Sequence, residues 1–181
     1  MSRSERPPVI GITGWKNSGK TTLVVRLVEA FARRGLRVAA VKHAHHAVDL
    51  GDSGTDSARH RQAGATQTAL ISPRRTIVVA ELGADREPDL ADVLAMLGPC
   101  DLVIVEGYKS AAIPKVEVRR LQAVTREPLA DTDPHIIAIA ADHAVPQASV
   151  PVFGLDEIAA IAEHIARILK LNSVAVDRKG L

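Results

Sequence analysis

Aromatic residues and cysteine are both scarce in this sequence. Phe, Trp and Tyr together make up 2% of the 181 residues, so the chain lacks the stacking platforms with which many proteins bind single-stranded nucleic acids. The lone cysteine, Cys100, excludes a disulfide framework and a thiolate metal cluster. We expect Cys100 to be a small apolar residue beside a strand.

A strong charge of one sign and long apolar runs are missing too. The formal net charge is +2, which is too small to indicate a nucleic-acid partner. No apolar stretch approaches the roughly 20 residues of a membrane-spanning helix, and residues 1–8 lack the apolar core of a secretory signal. With 46% hydrophobic and 24% charged residues, the composition is typical of a soluble globular protein, and we expect a cytoplasmic one.

Residues 14–21 read G-x-x-x-x-G-K-T, the Walker A pattern of a phosphate-binding loop (P-loop). The apolar run Val9 to Thr13 precedes it and predicts a buried strand. An amphipathic run that ends at Gly35 predicts a helix after it. Glycines let the backbone N–H groups of such a loop point at phosphate oxygens, and the helix adds the positive end of its dipole. The sequence therefore predicts a site for a nucleoside triphosphate or diphosphate, with Lys20 on the β- and γ-phosphates and Thr21 on Mg²⁺.

Strands and helices alternate along the rest of the sequence. Strands are expected at residues 37–41, 66–71, 75–82, 101–107, 115–118 and 136–140, and helices at 56–63, 89–97 and 156–171. The strand at 101–107 is continuously apolar, as in the centre of a parallel sheet. The segment Lys115 to Val118 follows Pro114 and alternates, which predicts an edge strand. Asp56 or Ser57 is expected to cap the first of these helices.

This order of elements predicts an α/β fold of the P-loop NTPase type, with a mostly parallel sheet flanked by helices. We expect an antiparallel edge or dimerisation strand region in addition. Residues 1–8 are predicted to be a flexible N-terminus, residues 9–171 a single nucleotide-binding domain, and residues 172–181 a C-terminal tail.

Ligands of parallel sheets bind beyond the carboxyl ends of the strands, and polar residues gather there in this sequence. Glu106 ends the apolar strand as an acidic residue ends a Walker B strand, where it can hold Mg²⁺ through water or orient a nucleophile. Asp101 begins the same strand and is expected at the opposite end of the sheet. Glu106 is therefore the predicted functional acid, with Lys20 as the second catalytic candidate.

A histidine cluster follows the second predicted strand. His43, His45 and His46 can contact an anionic or heterocyclic ligand together with Lys42, bind a metal ion together with nearby carboxylates, or decorate a solvated loop. The spacing matches no zinc signature, and these alternatives stay open. In the loop after them, an acid is expected to reach Mg²⁺; Asp49 is our candidate ligand, although the spacing does not decide between it and the other acids of this loop.

Asp142 follows the strand at 136–140 and is the candidate for reading the base. A carboxylate can accept two hydrogen bonds from the N1–H and N2–H₂ edge of guanine, whereas adenine offers no such pair of donors. The Lys and Asn of the N-K-x-D guanine motif are missing. The alternative is that Asp142 caps a helix. Arg119 and Arg120, like the other paired arginines, are interpreted as part of a solvated face without a role in binding.

These motifs together resemble a known family. Between Val9 and Ile139 the sequence contains, in order, G-W-K-N-S-G-K-T-T-L, K-H-A-H-H, G-T-D-S-A-R-H-R-Q-A-G-A, D-L-V-I-V-E-G-Y-K and P-K-V-E-V-R. This combination resembles the MobB family, the molybdopterin-guanine dinucleotide biosynthesis proteins B. The resemblance implies a GTP-binding accessory protein with weak GTPase activity, a homodimer, and assistance to a MobA-type guanylyltransferase. Whether molybdopterin itself binds is left open.

The resemblance also implies a set of site residues. Phosphate contacts are carried over to Gly14, Asn17, Ser18, Gly19, Lys20, Thr21 and Thr22. The magnesium-side acid falls on Glu106, and the histidine block lies near the far side of the nucleotide. Two other functions compete with this hypothesis: a small-molecule kinase that uses the P-loop nucleotide, and a metal-delivery GTPase that uses the histidines.

Overall fold

The computed structural model describes residues 6–44, 54–82 and 87–171. The chain divides into two compact units, one formed by residues 1–43 and 96–181 and the other by residues 44–95. The predicted C-terminal tail lies outside the described residues, and so does most of the predicted N-terminal segment.

Eight strands and four helices are found in the described residues. In chain order they are β1 (Val9–Thr13), α1 (Lys20–Arg33), β2 (Val38–Lys42), α2 (Asp56–Gln62), β3 (Gln67–Ile71), β4 (Thr76–Ala80), α3 (Leu90–Met96), β5 (Leu102–Glu106), β6 (Lys115–Arg119), β7 (Ile136–Ala141), β8 (Val152–Gly154) and α4 (Ile158–Ile168). In length and apolar character, each of these helices falls short of a membrane span.

The first unit is built on a six-stranded parallel sheet with the strand order β2-β5-β1-β6-β7-β8. Since the strands are parallel, their carboxyl ends meet at one edge, where the register pairs Lys42 with Glu106 and Ile12 with Glu106. Side chains of α1 and α4, among them Leu27, Phe31 and Ile165, pack with the sheet into one core. This arrangement confirms the predicted α/β fold and places the P-loop at the carboxyl edge of the sheet.

The prediction that Lys115 to Val118 form an edge strand is wrong. β6 lies inside the sheet, between β1 and β7, and its alternating polar residues are buried. Lys115 is 1% exposed, and its Nζ donates to the carbonyls of Lys109 and Ala111 and lies 2.7 Å from Asp133 Oδ2. The alternation therefore marks a buried polar face whose groups have partners, not a face in contact with solvent.

Glu117 is the second buried polar residue of β6. It is 1% exposed and accepts hydrogen bonds from the backbone N–H groups of Leu129 and Ala130 and from Nη2 of Arg119. Its carboxylate thereby ties the segment after β6 to the centre of the sheet.

Two smaller expectations also differ from the structure. The cap of α2 is Thr55, whose hydroxyl accepts from the N–H of Ala58, rather than Asp56 or Ser57. The three-residue strand β8 was not predicted, because its apolar residues are too few to give a periodic pattern. The other predicted strands and helices are present with boundaries shifted by a few residues.

Asp101 lies at the amino end of β5, as predicted, and it is paired there. Its Oδ2 accepts from the backbone N–H of Arg37 at 2.7 Å, and its Oδ1 lies 2.8 Å from the Arg37 guanidinium. The side-chain hydrogen bond from Arg37, with the backbone one, lowers the pKa of Asp101 to about 2. Asp101 therefore serves the structure at the end of the sheet remote from the P-loop.

The second unit contains an antiparallel ribbon of β3 and β4, against which α2 packs through β3. The ribbon turns at Ser72, whose hydroxyl bonds to the backbone of Arg75. Several large apolar side chains of the ribbon are exposed: Leu70, Ile71, Ile77 and Val78, followed by Leu82 just beyond it. The predicted antiparallel region is thus present in the fold.

Candidate nucleotide-binding site

The P-loop follows β1 with an unusual backbone. Gly14, Asn17 and Gly19 have φ angles of 143°, 64° and 93°, all in the region that favours glycine or asparagine. A Cβ at Gly14 would lie 2.5 Å from the Val118 carbonyl oxygen and 2.7 Å from Ser18 Oγ. The loop is therefore wound tightly against β6, and glycine at its first position is a steric requirement.

Helix α1 presents its N-terminus at the end of this loop. Gly19 is the N-cap residue and gives no side-chain hydrogen bond, and the first turn carries no acidic residue. Nothing on α1 itself thus compensates the positive end of its dipole or caps its first N–H groups. Such a helix start is suited to an anion, above all a phosphate.

Lys20 lies across the loop. Its Nζ donates to the carbonyl of Trp15 at 2.8 Å. Burial lowers the pKa of Lys20 below its ordinary value, and the charges of Lys109 and Lys42 lower it further, whereas Glu106 opposes the change. The cations at this edge thus disfavour one another, and a polyanion between them would relieve the repulsion.

A carboxylate, a hydroxyl and an ammonium group meet beside Lys20. The Thr21 hydroxyl donates to Glu106 Oε1 at 2.7 Å, and Lys42 Nζ lies 3.3 Å from both oxygens. Glu106 is 7% exposed. A hydroxyl and a carboxylate are ligands that Mg²⁺ prefers, and Lys42 demonstrates that a cation is accommodated between them. The donor set therefore fits Mg²⁺, held by Thr21 and, directly or through water, by Glu106.

Most of the predicted phosphate-site residues line one open pocket of about 470 Å³. We call it the phosphate pocket; its wall contains Lys16, Asn17, Gly19, Lys20, Thr21, Thr22, Lys42 and Glu106. Gly14 and Ser18 are not part of this wall: Gly14 packs on β6, and Ser18 is 1% exposed with a hydroxyl that has no partner among the described residues. Any phosphate contact of these two residues would involve their backbone.

Of the histidine block, the structure describes only His43. Its ring stacks on Tyr108 with centroids 4.5 Å apart and an interplanar angle of 29°. The turn after β5 is wound closely around it, since a Cβ at Gly107 would lie 2.9 Å from His43 Cβ, and Tyr108 has a φ of 49°. His45, His46 and Asp49 lie outside the described residues, so the roles predicted for them stay predictions.

No group of three or more potential metal-ligating side chains occurs within residues 6–44, 54–82 and 87–171. Two contacts that sequence reasoning missed involve Trp15, whose carbonyl accepts a hydrogen bond from Lys20. Lys109 Nζ lies 3.7 Å from the ring centroid of Trp15, and Trp15 Nε1 donates to the carbonyl of Glu127. The scarcity of aromatic residues was the available signal: Trp15 is the only tryptophan of the chain, and it stands inside the Walker A pattern.

Asp142 lies beyond β7 in a second open pocket, of about 560 Å³. We call it the acidic pocket; it is lined by Arg120, Gln122, Ala141, Asp142, Gly154, Leu155, Asp156 and Glu157. Asp142 Oδ1 accepts from the N–H of Leu121 and lies 2.8 Å from His143 Nδ1. The hydrogen bond with His143 lowers the pKa of Asp142, so its carboxylate is charged at neutral pH. Asp142 is not a helix cap.

The sequence between residues 9 and 142 matches the family described as Molybdopterin guanine dinucleotide synthesis protein B. The chain belongs to this family. Among relatives, it is 33% identical over 161 residues to the molybdopterin-guanine dinucleotide biosynthesis adapter protein of Escherichia coli K12, a match that covers 87% of this chain and 91% of the relative. It is 37% identical over 139 residues to the adapter protein of the same description from Haemophilus influenzae, covering 75% of each chain.

Solved structures of MobB proteins have the same fold. A crystal structure of molybdopterin-guanine biosynthesis protein B superimposes with a TM-score of 0.70 at 28% identity, covering 90% of this chain and 99% of the other. A MobB homologue from Bacillus stearothermophilus gives a TM-score of 0.64, also at 28% identity, with 91% and 99% covered. These matches confirm the family resemblance that the sequence motifs indicated.

The fold of this MobB family member brings part of the predicted site together, and another part lies outside the described residues. Lys20, Thr21 and Glu106 line the phosphate pocket. His43 directly follows Lys42, which lines the same pocket, and it packs against Gly107. Asp142 belongs to the acidic pocket, two strands away along the carboxyl edge. Lys42, which was predicted together with the histidines to contact an anionic ligand, lines this pocket, whereas the contact between Trp15 and Lys109 was not predicted.

Proposed function

We propose that this chain binds GTP together with Mg²⁺ and works as an adapter protein in molybdopterin guanine dinucleotide biosynthesis, where it assists a MobA-type guanylyltransferase. The observation that supports nucleotide binding is the geometry of the P-loop, where Lys20, Thr21 and Glu106 line one pocket. The proposed role in this pathway is supported by the family of the chain and by its 33% and 37% sequence identity to two adapter proteins.

The proposed division of labour follows the geometry. The N–H groups at the start of α1 and the Lys20 ammonium receive the β- and γ-phosphates. Thr21 and Glu106 would hold Mg²⁺, which would supply charge neutralisation on the same phosphates. Lys42, which contacts both residues, is a further cation for the phosphates. Among the described residues, no arginine or glutamine lines the phosphate pocket, so hydrolysis is expected to be slow.

The guanine base is assigned to the acidic pocket. The phosphate pocket lies over β2, β5 and β1, and the acidic pocket lies over the ends of β6, β7 and β8, so a nucleotide that runs along the carboxyl edge reaches it. Three carboxylates, of Asp142, Asp156 and Glu157, line this pocket. Carboxylates accept hydrogen bonds, and guanine offers N1–H and N2–H₂ as donors on one edge.

The substitution Asp142→Asn tests this assignment. An amide cannot accept both guanine donors, so we expect GTP affinity to fall at least about tenfold. Xanthine carries a carbonyl in place of the guanine amino group, which the new amide can donate to, and XTP affinity should rise. Isothermal titration with GTP, XTP and ATP measures both changes. Asp131→Asn, an exposed aspartate outside the acidic pocket, is the control; equal loss for all three nucleotides would contradict base reading by Asp142.

We assign the homodimer to the ribbon of β3 and β4. Val78 is 64% and Ile71 76% exposed, and a ribbon with so much apolar surface is a candidate for pairing with a second copy. Val78→Lys should shift the protein toward the monomer in light scattering after size exclusion. Val124→Lys, at a valine that is 77% exposed in the other unit, should have no effect. A dimer that survives Val78→Lys excludes this interface.

The adapter role has a direct test. The guanylyltransferase is immobilised and the chain is added without nucleotide, with GDP and with a non-hydrolysable GTP analogue, each in Mg²⁺. Capture that depends on the nucleotide supports the proposal, and absent capture in all three conditions contradicts it.

Product analysis with γ-labelled GTP tests the alternative that the chain is a kinase. Label on a small acceptor instead of free phosphate would identify a kinase.

A further inference from the structure

Arg120 follows β6 directly and lies between the two pockets. A Cβ built on Gly19 would be 3.1, 3.2 and 3.5 Å from Nε, Cζ and Nη2 of Arg120. Since these three distances are nearly equal, Gly19 faces the flat side of the guanidinium rather than its edge. The same side chain lines the acidic pocket. Arg120 thus rests on the P-loop and borders the space assigned to the nucleoside.

The charge of Arg120 is not paired within the part of the chain that the structure describes. Its neighbour Arg119 lies 2.8 Å from the Glu117 carboxylate, whereas the guanidinium of Arg120 forms neither an ion pair nor a hydrogen bond with another described residue, and its Nε is buried without a partner. A partly buried cation without a partner is costly. This position is therefore suited to an anion that the chain itself does not supply.

We propose that Arg120 binds the α-phosphate of the nucleotide and so joins the phosphate pocket to the acidic pocket. This inference rests on the proposed function, because it requires a nucleotide that spans both pockets. The α-phosphate is the anion at the junction of the phosphates with the nucleoside, and Arg120 lies at the corresponding place between Gly19 and the acidic pocket. Arginine donates from a planar fork, which suits a phosphate.

Two ligands separate a contact with the α-phosphate from a role in shaping the loop. GDP contains the α-phosphate and the nucleoside; inorganic pyrophosphate, with Mg²⁺, occupies only the cup of the P-loop. Isothermal titration of Arg120→Ala should show GDP affinity reduced about 10- to 100-fold and pyrophosphate affinity within about twofold of the wild type. Arg120→Lys keeps the charge without the fork and should recover part of the GDP affinity.

Arg33→Ala is the control, because Arg33 is an exposed arginine in the last turn of α1 that lies outside both pockets. It should bind GDP as the wild type does. A parallel fall of GDP and pyrophosphate affinity in Arg120→Ala would overturn the proposal and leave Arg120 as a support of the loop. Unchanged GDP affinity, or a lysine variant as weak as the alanine variant, would overturn it too. A wild-type protein that binds pyrophosphate but not GDP would remove the proposed function itself.

Discussion

Lys20→Ala should reduce GTP affinity by at least about 100-fold while the protein remains folded. The Lys20 ammonium is the cation that spans the P-loop, and its removal leaves the β- and γ-phosphates with one charge-assisted contact fewer in a partly buried site, which typically costs about 2–5 kcal/mol. Isothermal titration with GTP and Mg²⁺ measures the loss.

The stability of the Lys20→Ala variant has a different expected outcome. Burial and the neighbouring cations lower the pKa of Lys20 in the folded protein. A lysine whose folded pKa lies below its unfolded value disfavours folding at neutral pH, where it is charged. Its loss should therefore leave the midpoint of urea unfolding unchanged or slightly higher.

Lys16→Ala is the control for this prediction. Lys16 lines the same pocket with the same charge but stands at a variable position of the Walker A pattern, so its variant should lose only a few-fold in affinity. If Lys20→Ala bound GTP as well as the wild type, the nucleotide would have to bind elsewhere. If both variants lost affinity equally, the pocket would attract phosphates through its total charge and not through the position of Lys20.

The backbone geometry of the P-loop was predictable because it depends on consecutive residues. Gly14 and Gly19 are required by φ angles that few other residues adopt, and both stand in a pattern flanked by a strand and a helix. The distinction between Glu106 and Asp101 was predictable as well, because a five-residue strand places its two ends at opposite edges of the sheet. Local geometry and strand direction sufficed for both conclusions.

Contacts between distant segments were not predictable from the sequence. The alternation in β6 indicated which residues share a face, but it could not reveal that Lys115 and Glu117 face partners such as Asp133 and Leu129 instead of solvent. Arg120 was interpreted as solvated for a similar reason: only the fold brings it against Gly19. A polar residue in a period-2 pattern lies either on a solvent-exposed face or on a buried face where it has a partner. Only the tertiary structure decides between these two placements.

The buried ion pair of β6 leads to the second large prediction. Lys115→Met should lower the free energy of unfolding by about 3–5 kcal/mol, because removing one partner of a buried pair leaves the other uncompensated. Lys115 Nζ has three acceptors: the carbonyls of Lys109 and Ala111 and the carboxylate of Asp133. Without it, the segment that carries Lys109 and Ala111 loses the hydrogen bonds that join its carbonyls to β6. Urea unfolding followed by circular dichroism measures the change.

The double variant Lys115→Met/Asp133→Leu distinguishes the lost charge pair from lost packing. Replacing a whole buried pair by apolar residues is often close to neutral, so the second substitution should restore part of the stability lost in the first.

The dependence of stability on pH gives an independent check. Burial opposes ionisation of Asp133, but the hydrogen bonds from Lys115 and from the N–H of His135 outweigh it and lower the pKa of this carboxyl below its ordinary value of 3.8. The contribution of the pair is therefore present above that value and is lost as the pH falls below it, so wild type and Lys115→Met should converge in stability toward acid. Parallel curves across this range would mean that Lys115 stabilises the fold through its two carbonyl contacts and not through Asp133.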